Sequence, residues 1–95
     1  PVNVCKGDSV RIKASVLDKY NIVEGGPLID VTGDPAQSTS GKSDYPCNLE
    51  GCFAGQLIVR FTGESGVQSI YPVGAERIFL APEHGKLEVQ INDTT

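Results

Sequence analysis

Three cysteines and one histidine are the side chains with the clearest chemistry in this sequence. Cys47 and Cys52 lie five apart in Pro46-Cys47-Asn48-Leu49-Glu50-Gly51-Cys52, while Cys5 stands alone. With an odd number, at most one pair can form inside the chain. A Cys47–Cys52 bridge would close a tight loop in an oxidising compartment; the alternative is two reduced, partly buried thiols. No Cys-x-x-Cys pair accompanies them, which argues against a common zinc site. Cys5 is expected either to be buried or to pair with a segment outside this sequence. The sole His84 sits in Pro82-Glu83-His84-Gly85, where a solvated turn residue is expected rather than a general base. No serine lies in a nucleophile elbow, no Gly-rich loop leads into a helix, and the carboxylates are scattered. The sequence therefore points away from an enzyme. The remaining polar cluster is Asn92-Asp93-Thr94-Thr95 at the C-terminus. Its oxygen-bearing side chains suit Ca²⁺ if a strand presents them at the mouth of a sheet; the alternative is an ordinary polar strand end. Asn92-Asp93-Thr94 is also a glycosylation sequon, of consequence only in a eukaryotic secretory pathway.

Composition bounds what can position these groups. Ninety-five residues make one small domain, residues 1–95, with a modest core. Eight basic against 12 acidic residues give a net charge of −4, the wrong sign for a nucleic-acid partner. At 39% hydrophobic and 21% charged the chain is too apolar for a disordered tail. No apolar run approaches the ~18 residues of a membrane span. Methionine is absent, so the sequence is expected to begin downstream of an initiator.

The dominant period is two, the period of half-buried strands. Val10, Ile12 and Ala14 alternate with Arg11 and Lys13. Leu57, Val59 and Phe61 form a second inward set, and Leu87, Val89 and Ile91 a third, opposite Lys86, Glu88 and Gln90. Residues 77–80 read as a short, more buried strand. Residues 67–73 read as a weaker one that Pro72 places at an edge or strand end, and 2–5 and 28–31 are further short candidates. Turns are expected at 6–8, 62–66 and 81–85. Short strands with frequent turns predict an all-β antiparallel sandwich or barrel. Val16, Leu17, Tyr20 and Val23 compete with that reading, because they sit at helical spacing before Gly25-Gly26. From Gly33 to Pro46, ten of 14 residues are Gly, Pro, Ser, Thr, Asp or Asn. A stretch without periodicity from 33 to 54 is either a binding loop or a tolerated surface insertion.

Three blocks resemble the calcium-dependent galactophilic lectins of bacteria, the PA-I lectin-like domains. Gly7-Asp8 through Tyr20 resembles the family's Gly-Asp, alternating strand and loop aromatic. Cys47 to Phe61 resembles a cysteine pair at that spacing followed by a Gly-Ala-Leu strand, with Gln56 where Ala is usual and two extra residues after Cys52. Pro72-Val73-Gly74 through Asp93 resembles the family's Val-Gly, aromatic strand, Ala-Pro, Gly turn and strand ending in Asn-Asp.

This resemblance implies an antiparallel jelly-roll-like β-sandwich holding one Ca²⁺ at its rim, the ion chelated by protein oxygens and two sugar hydroxyls. Tyr20 matches the position that offers a main-chain carbonyl to the metal. Asp93 matches the carboxylate that binds metal and touches sugar, and Thr94 the next residue lining the sugar site. The family's sugar-contacting His-Pro has its nearest counterpart in Tyr45-Pro46. Further Thr and Asn ligands and a last strand would follow Thr95 in the family, and its first strand would precede Pro1. The expected sandwich thus lacks outer strands at both ends, and a partner domain or additional segment would complete it. Galactose-type sugars are the expected ligand, in an extracellular or periplasmic setting. The alternative is a structural or interaction module with the metal site lost; a third reading is an accessory domain of a secreted hydrolase.

Overall fold

The computed structural model describes residues 2–14 and 30–93. They form six strands in chain order: β1 (Val2–Val4), β2 (Ser9–Lys13), β3 (Leu57–Gly63), β4 (Gln68–Pro72), β5 (Glu76–Leu80) and β6 (Gly85–Ile91). Four of them make an antiparallel sheet in the order β1-β6-β3-β4, and β2 and β5 make a second, two-stranded antiparallel sheet. The chain is an all-β, small β-sandwich, and no helix occurs among the described residues. The helical pattern at residues 16–23 and residues 28–29 of the expected 28–31 strand lie outside the described residues, and Asp30 and Val31 are not in a strand. Val31, which is described, is a buried turn residue.

Alternation builds both sheets. Val10 and Ile12 turn inward while Ser9, Arg11 and Lys13 face water, as the period of two requires. Phe79 of β5 sits opposite Val10 and reaches across the sandwich to Phe61 of β3, ring centroids 5.1 Å apart. Tyr71 of β4 completes the aromatic group at 5.7 Å from Phe79. Around these rings Val4, Val59, Val73, Ala81 and Leu87 close the core between the sheets. Such tilted pairs add about 0.5–1.5 kcal/mol beyond their buried area. At one end Arg77 of β5 lies 5.1 Å from the Tyr71 ring centroid and donates to the Pro72 carbonyl, so a cation joins the two sheets.

Two strands differ from expectation in what they bury, and among the described residues a two-stranded sheet covers part of a four-stranded one. In β6 only Leu87 is buried; Val89 is 57% exposed and Ile91 36%. β5 is not a buried strand, since Ile78 and Leu80 are both about two-thirds exposed and Phe79 alone faces the core. Between the sheets an open apolar cleft of about 240 Å³ remains, lined by Val2, Val10, Ile12, Val59, Leu87 and Val89. β3, by contrast, is buried on both faces. Its outward Ile58 is fully buried beneath Cys47 and Cys52, with Ile70 beside it.

Candidate functional site

Cys47 and Cys52 form a disulfide, with Cα atoms 6.0 Å apart and both side chains fully buried. That separation lies within the ordinary range for a bridge. Gly51, at φ +90°, turns the chain back so that six residues can close on themselves. Cys5 is an exposed free thiol, so of the two expectations for it, burial is excluded.

The long 33–54 segment is irregular without being structureless. Thr39 N–H donates to the Cys52 carbonyl, Ala54 N–H to Gln37, Asp34 N–H to Ala54, and Gly41 N–H to Asn48, at 2.9–3.0 Å. These bonds fold the segment into a loose double-backed loop whose tip, Lys42–Asp44, is exposed. Asp34 stabilises one corner by accepting from Ala36 N–H and Gln37 Nε2. Polar composition hides such loops from a periodicity reading, because backbone bonds and one covalent bridge replace apolar spacing.

Asn92 fastens this loop to the sheet. Its backbone extends the β3–β6 ladder by one step, donating to the Gln56 carbonyl and accepting from Gly55 N–H. Its fully buried side chain accepts at Oδ1 from Cys47 N–H at 2.9 Å. Nδ2 donates to Thr39 Oγ1, to the Cys47 carbonyl and to the Phe53 carbonyl at 3.0–3.1 Å. Thr39, also fully buried, donates its hydroxyl to the same Cys47 carbonyl at 2.7 Å. The amide has one usable orientation, since a flip would face its NH₂ toward the Cys47 donor. Two expectations change as a result. Asn92 is spent on the loop and is not an outward oxygen ligand, and its sequon nitrogen is closed to a glycan in the folded chain.

The same bond places the expected sugar-side residues. Pro46 and Asp93 each lie one residue from the Cys47 N–H···Asn92 Oδ1 link, so Tyr45, Pro46 and Asp93 share one end of the molecule. All three are half-buried. Tyr20 and Thr94, the other expected metal and sugar positions, lie outside the described residues. Asp93 is therefore the one expected metal ligand that the structure describes. No group of three or more His, Cys, Asp or Glu side chains able to hold a metal occurs among the described residues. A Ca²⁺ ion takes about six to eight oxygens, so Asp93 alone does not make its site.

A second polar cluster occupies the 81–85 turn. His84 is exposed, as expected for a turn, yet its Nδ1 accepts from Lys6 N–H at 3.0 Å. Glu83 accepts from Ser65 N–H and Ser65 Oγ at 3.0 and 2.9 Å. The backbone bond from Ser65, then its hydroxyl bond, hold the Glu83 carboxyl below its usual 4.5 despite a small opposing effect of desolvation; the neighbouring imidazole adds in the same direction. An open groove lies beside this turn, lined by Asn3, Thr62, Glu64, His84 and Lys86. No sequence signal marked Asn92 or His84 as a tether, because both act through backbone partners 39 to 78 residues away.

No protein-family model, no curated protein and no solved structure matches this chain.

Proposed function

We propose that this chain is a non-catalytic carbohydrate-binding module whose sugar surface is the disulfide-loop end, with galactose-type sugars as ligand and Ca²⁺ as the bridging ion. The reading is supported by the Asn92–Cys47 link, which sets Tyr45-Pro46 beside Asp93. An aromatic ring and a carboxylate at one rim are what sugar recognition needs: a face to stack on and an acceptor for hydroxyls. The galactophilic-lectin resemblance points to the same residues. When bound, Ca²⁺ would accept vicinal hydroxyls in place of water; Asp93 would contribute a carboxylate and Tyr20 a main-chain carbonyl. The buried disulfide fits an oxidising setting, extracellular or periplasmic.

The competing reading is a structural or interaction module without metal or sugar. It is favoured by a separate observation, the exposed apolar side chains of Val2, Ile78, Leu80 and Val89.

Isothermal calorimetry with a simple galactoside separates the two. The lectin reading expects a binding heat with Ca²⁺ that disappears in EDTA and in Asp93→Ala, while the urea midpoint of that variant stays put. Absence of heat with Ca²⁺ and any simple sugar overturns it. Heat that survives EDTA keeps the carbohydrate and removes the calcium.

A further inference from the structure

Three separate segments meet at the Ala81–Gly85 turn. Gly7 N–H donates to the Ala81 carbonyl, and Ala81 N–H donates to the Asp8 carbonyl, joining the turn between β1 and β2. Glu64 N–H donates to the His84 carbonyl at 2.8 Å, joining the β3–β4 hairpin. Backbone pairing is thus already present, and two titratable side chains add to it. His84 Nδ1 accepts from Lys6 N–H, and the Glu83 carboxylate accepts from Ser65. Gly63 permits the latter approach, since a Cβ there would fall within 3.0 Å of the Glu83 carboxylate oxygens.

We propose that the His84–Lys6 and Glu83–Ser65 bonds form an acid-released clamp, which holds the β1–β2 turn and the β3–β4 hairpin to the β5–β6 turn at neutral pH. The logic is one of acceptors. A neutral imidazole leaves one ring nitrogen free to accept, whereas the cation carries a proton on both. Protonating His84 therefore removes the acceptor for Lys6 N–H. Protonating Glu83 weakens its pair of bonds to Ser65 in the same direction. The two bonds answer to different groups, and the Glu83 carboxyl is held below 4.5 by its bonds to Ser65. The charged groups on the surrounding elements are Lys6 and Asp8 of the first turn, Glu64 of the hairpin and Lys86 of β6. Asp8 is engaged locally, accepting from Cys5 N–H at 2.8 Å.

The consequence lies in β1. Among the described residues this three-residue strand lies at the edge of its sheet and pairs with β6 alone. Its C-terminal end is the turn that His84 holds, and Val2 at its other end walls the apolar cleft. With the His84 bond lost, the Gly7–Ala81 and Ala81–Asp8 backbone bonds still hold that turn, so β1 loosens only locally at its C-terminal end while the rest of the sandwich stays paired.

The test is a ¹H–¹⁵N titration of the intact chain from about pH 8 to about pH 2, reading amide shifts and hydrogen-exchange protection factors. The expected result is that the Lys6 amide proton moves upfield with the same midpoint as the His84 ring protons. Its protection factor falls roughly tenfold, the worth of one hydrogen bond near 1.4 kcal/mol. Ser65 follows the Glu83 carboxyl instead, with a midpoint below 4.5, and the β3 amides hold. His84→Ala shows the unprotected Lys6 value at every pH, and Glu83→Gln leaves the Lys6 step in place. The clamp is overturned if the wild-type Lys6 amide is indifferent to His84 protonation, or if Lys6 and β3 amides lose protection together. The wild-type titration decides the matter even if a variant fails to fold.

Discussion

At the scale of single residues, Asn92 carries more structure than any other polar side chain described. One amide satisfies the Cys47 N–H and shares its donors among Thr39, Cys47 and Phe53, all in a dry setting. Leaving buried partners unsatisfied costs about 1–3 kcal/mol per group. Asn92→Ala is therefore expected to destabilise the chain by about 2–4 kcal/mol in urea unfolding. Asn48→Ala, at an exposed position in the disulfide loop, should stay within about 0.5 kcal/mol of wild type. Equal effects from the two would refute the tethering role. The sequence marked the stretch as polar but not the inward role of its first residue. Asn92-Asp93 reads as a polar strand end or a set of oxygen ligands, and only the fold shows that the first residue turns inward. Cys47 and Cys52 were legible as a pair, but spacing alone left the thiol reading open. The bridge is settled by the 6.0 Å Cα separation and by the shared burial.

At the scale of elements, the strands were the most legible part. All six fall where residues alternate with a period of two or where a short apolar run lies between turns. Which faces are buried was less legible, because alternation states that a strand has two faces and not how much of each a partner sheet covers. β5 shows the difference. Phe79→Ala should cost about 3–5 kcal/mol, the usual penalty for a buried aromatic. Ile78→Thr, one residue away on the solvent face, should change stability by no more than about 0.5 kcal/mol. Denaturant midpoints at unchanged slope would check both. The 81–85 turn gives a pH dependence of its own. The Glu83 carboxyl titrates below 4.5 when folded, so the unfolded chain binds its proton first. The stability it contributes is complete above 4.5 and is lost as pH falls through the lower folded value. Glu83→Gln should flatten the acid limb of a stability–pH curve; an unchanged limb would show that Ser65 contributes nothing through this carboxylate.

At the scale of the whole molecule, a four-stranded sheet faces a two-stranded one among the described residues, and the two ends of β6 serve different purposes. Its N-terminal end meets the Glu83–His84 turn, and its C-terminal end leads through Asn92 to Asp93 and the disulfide loop. The polar loop was the least legible region, since its order comes from backbone bonds and one covalent bridge. It is nevertheless the region that gathers Tyr45, Pro46 and Asp93. The most direct measurement is a map of amide shift changes in the ¹⁵N-labelled chain on adding Ca²⁺ and then a galactoside. The account predicts saturable changes centred on Asp93, Tyr45 and Cys47, with the 81–85 turn at the far end of β6 unaffected. Changes centred on Val2, Val10 and Val89 in the apolar cleft, or none at all with both ligands present, would contradict it.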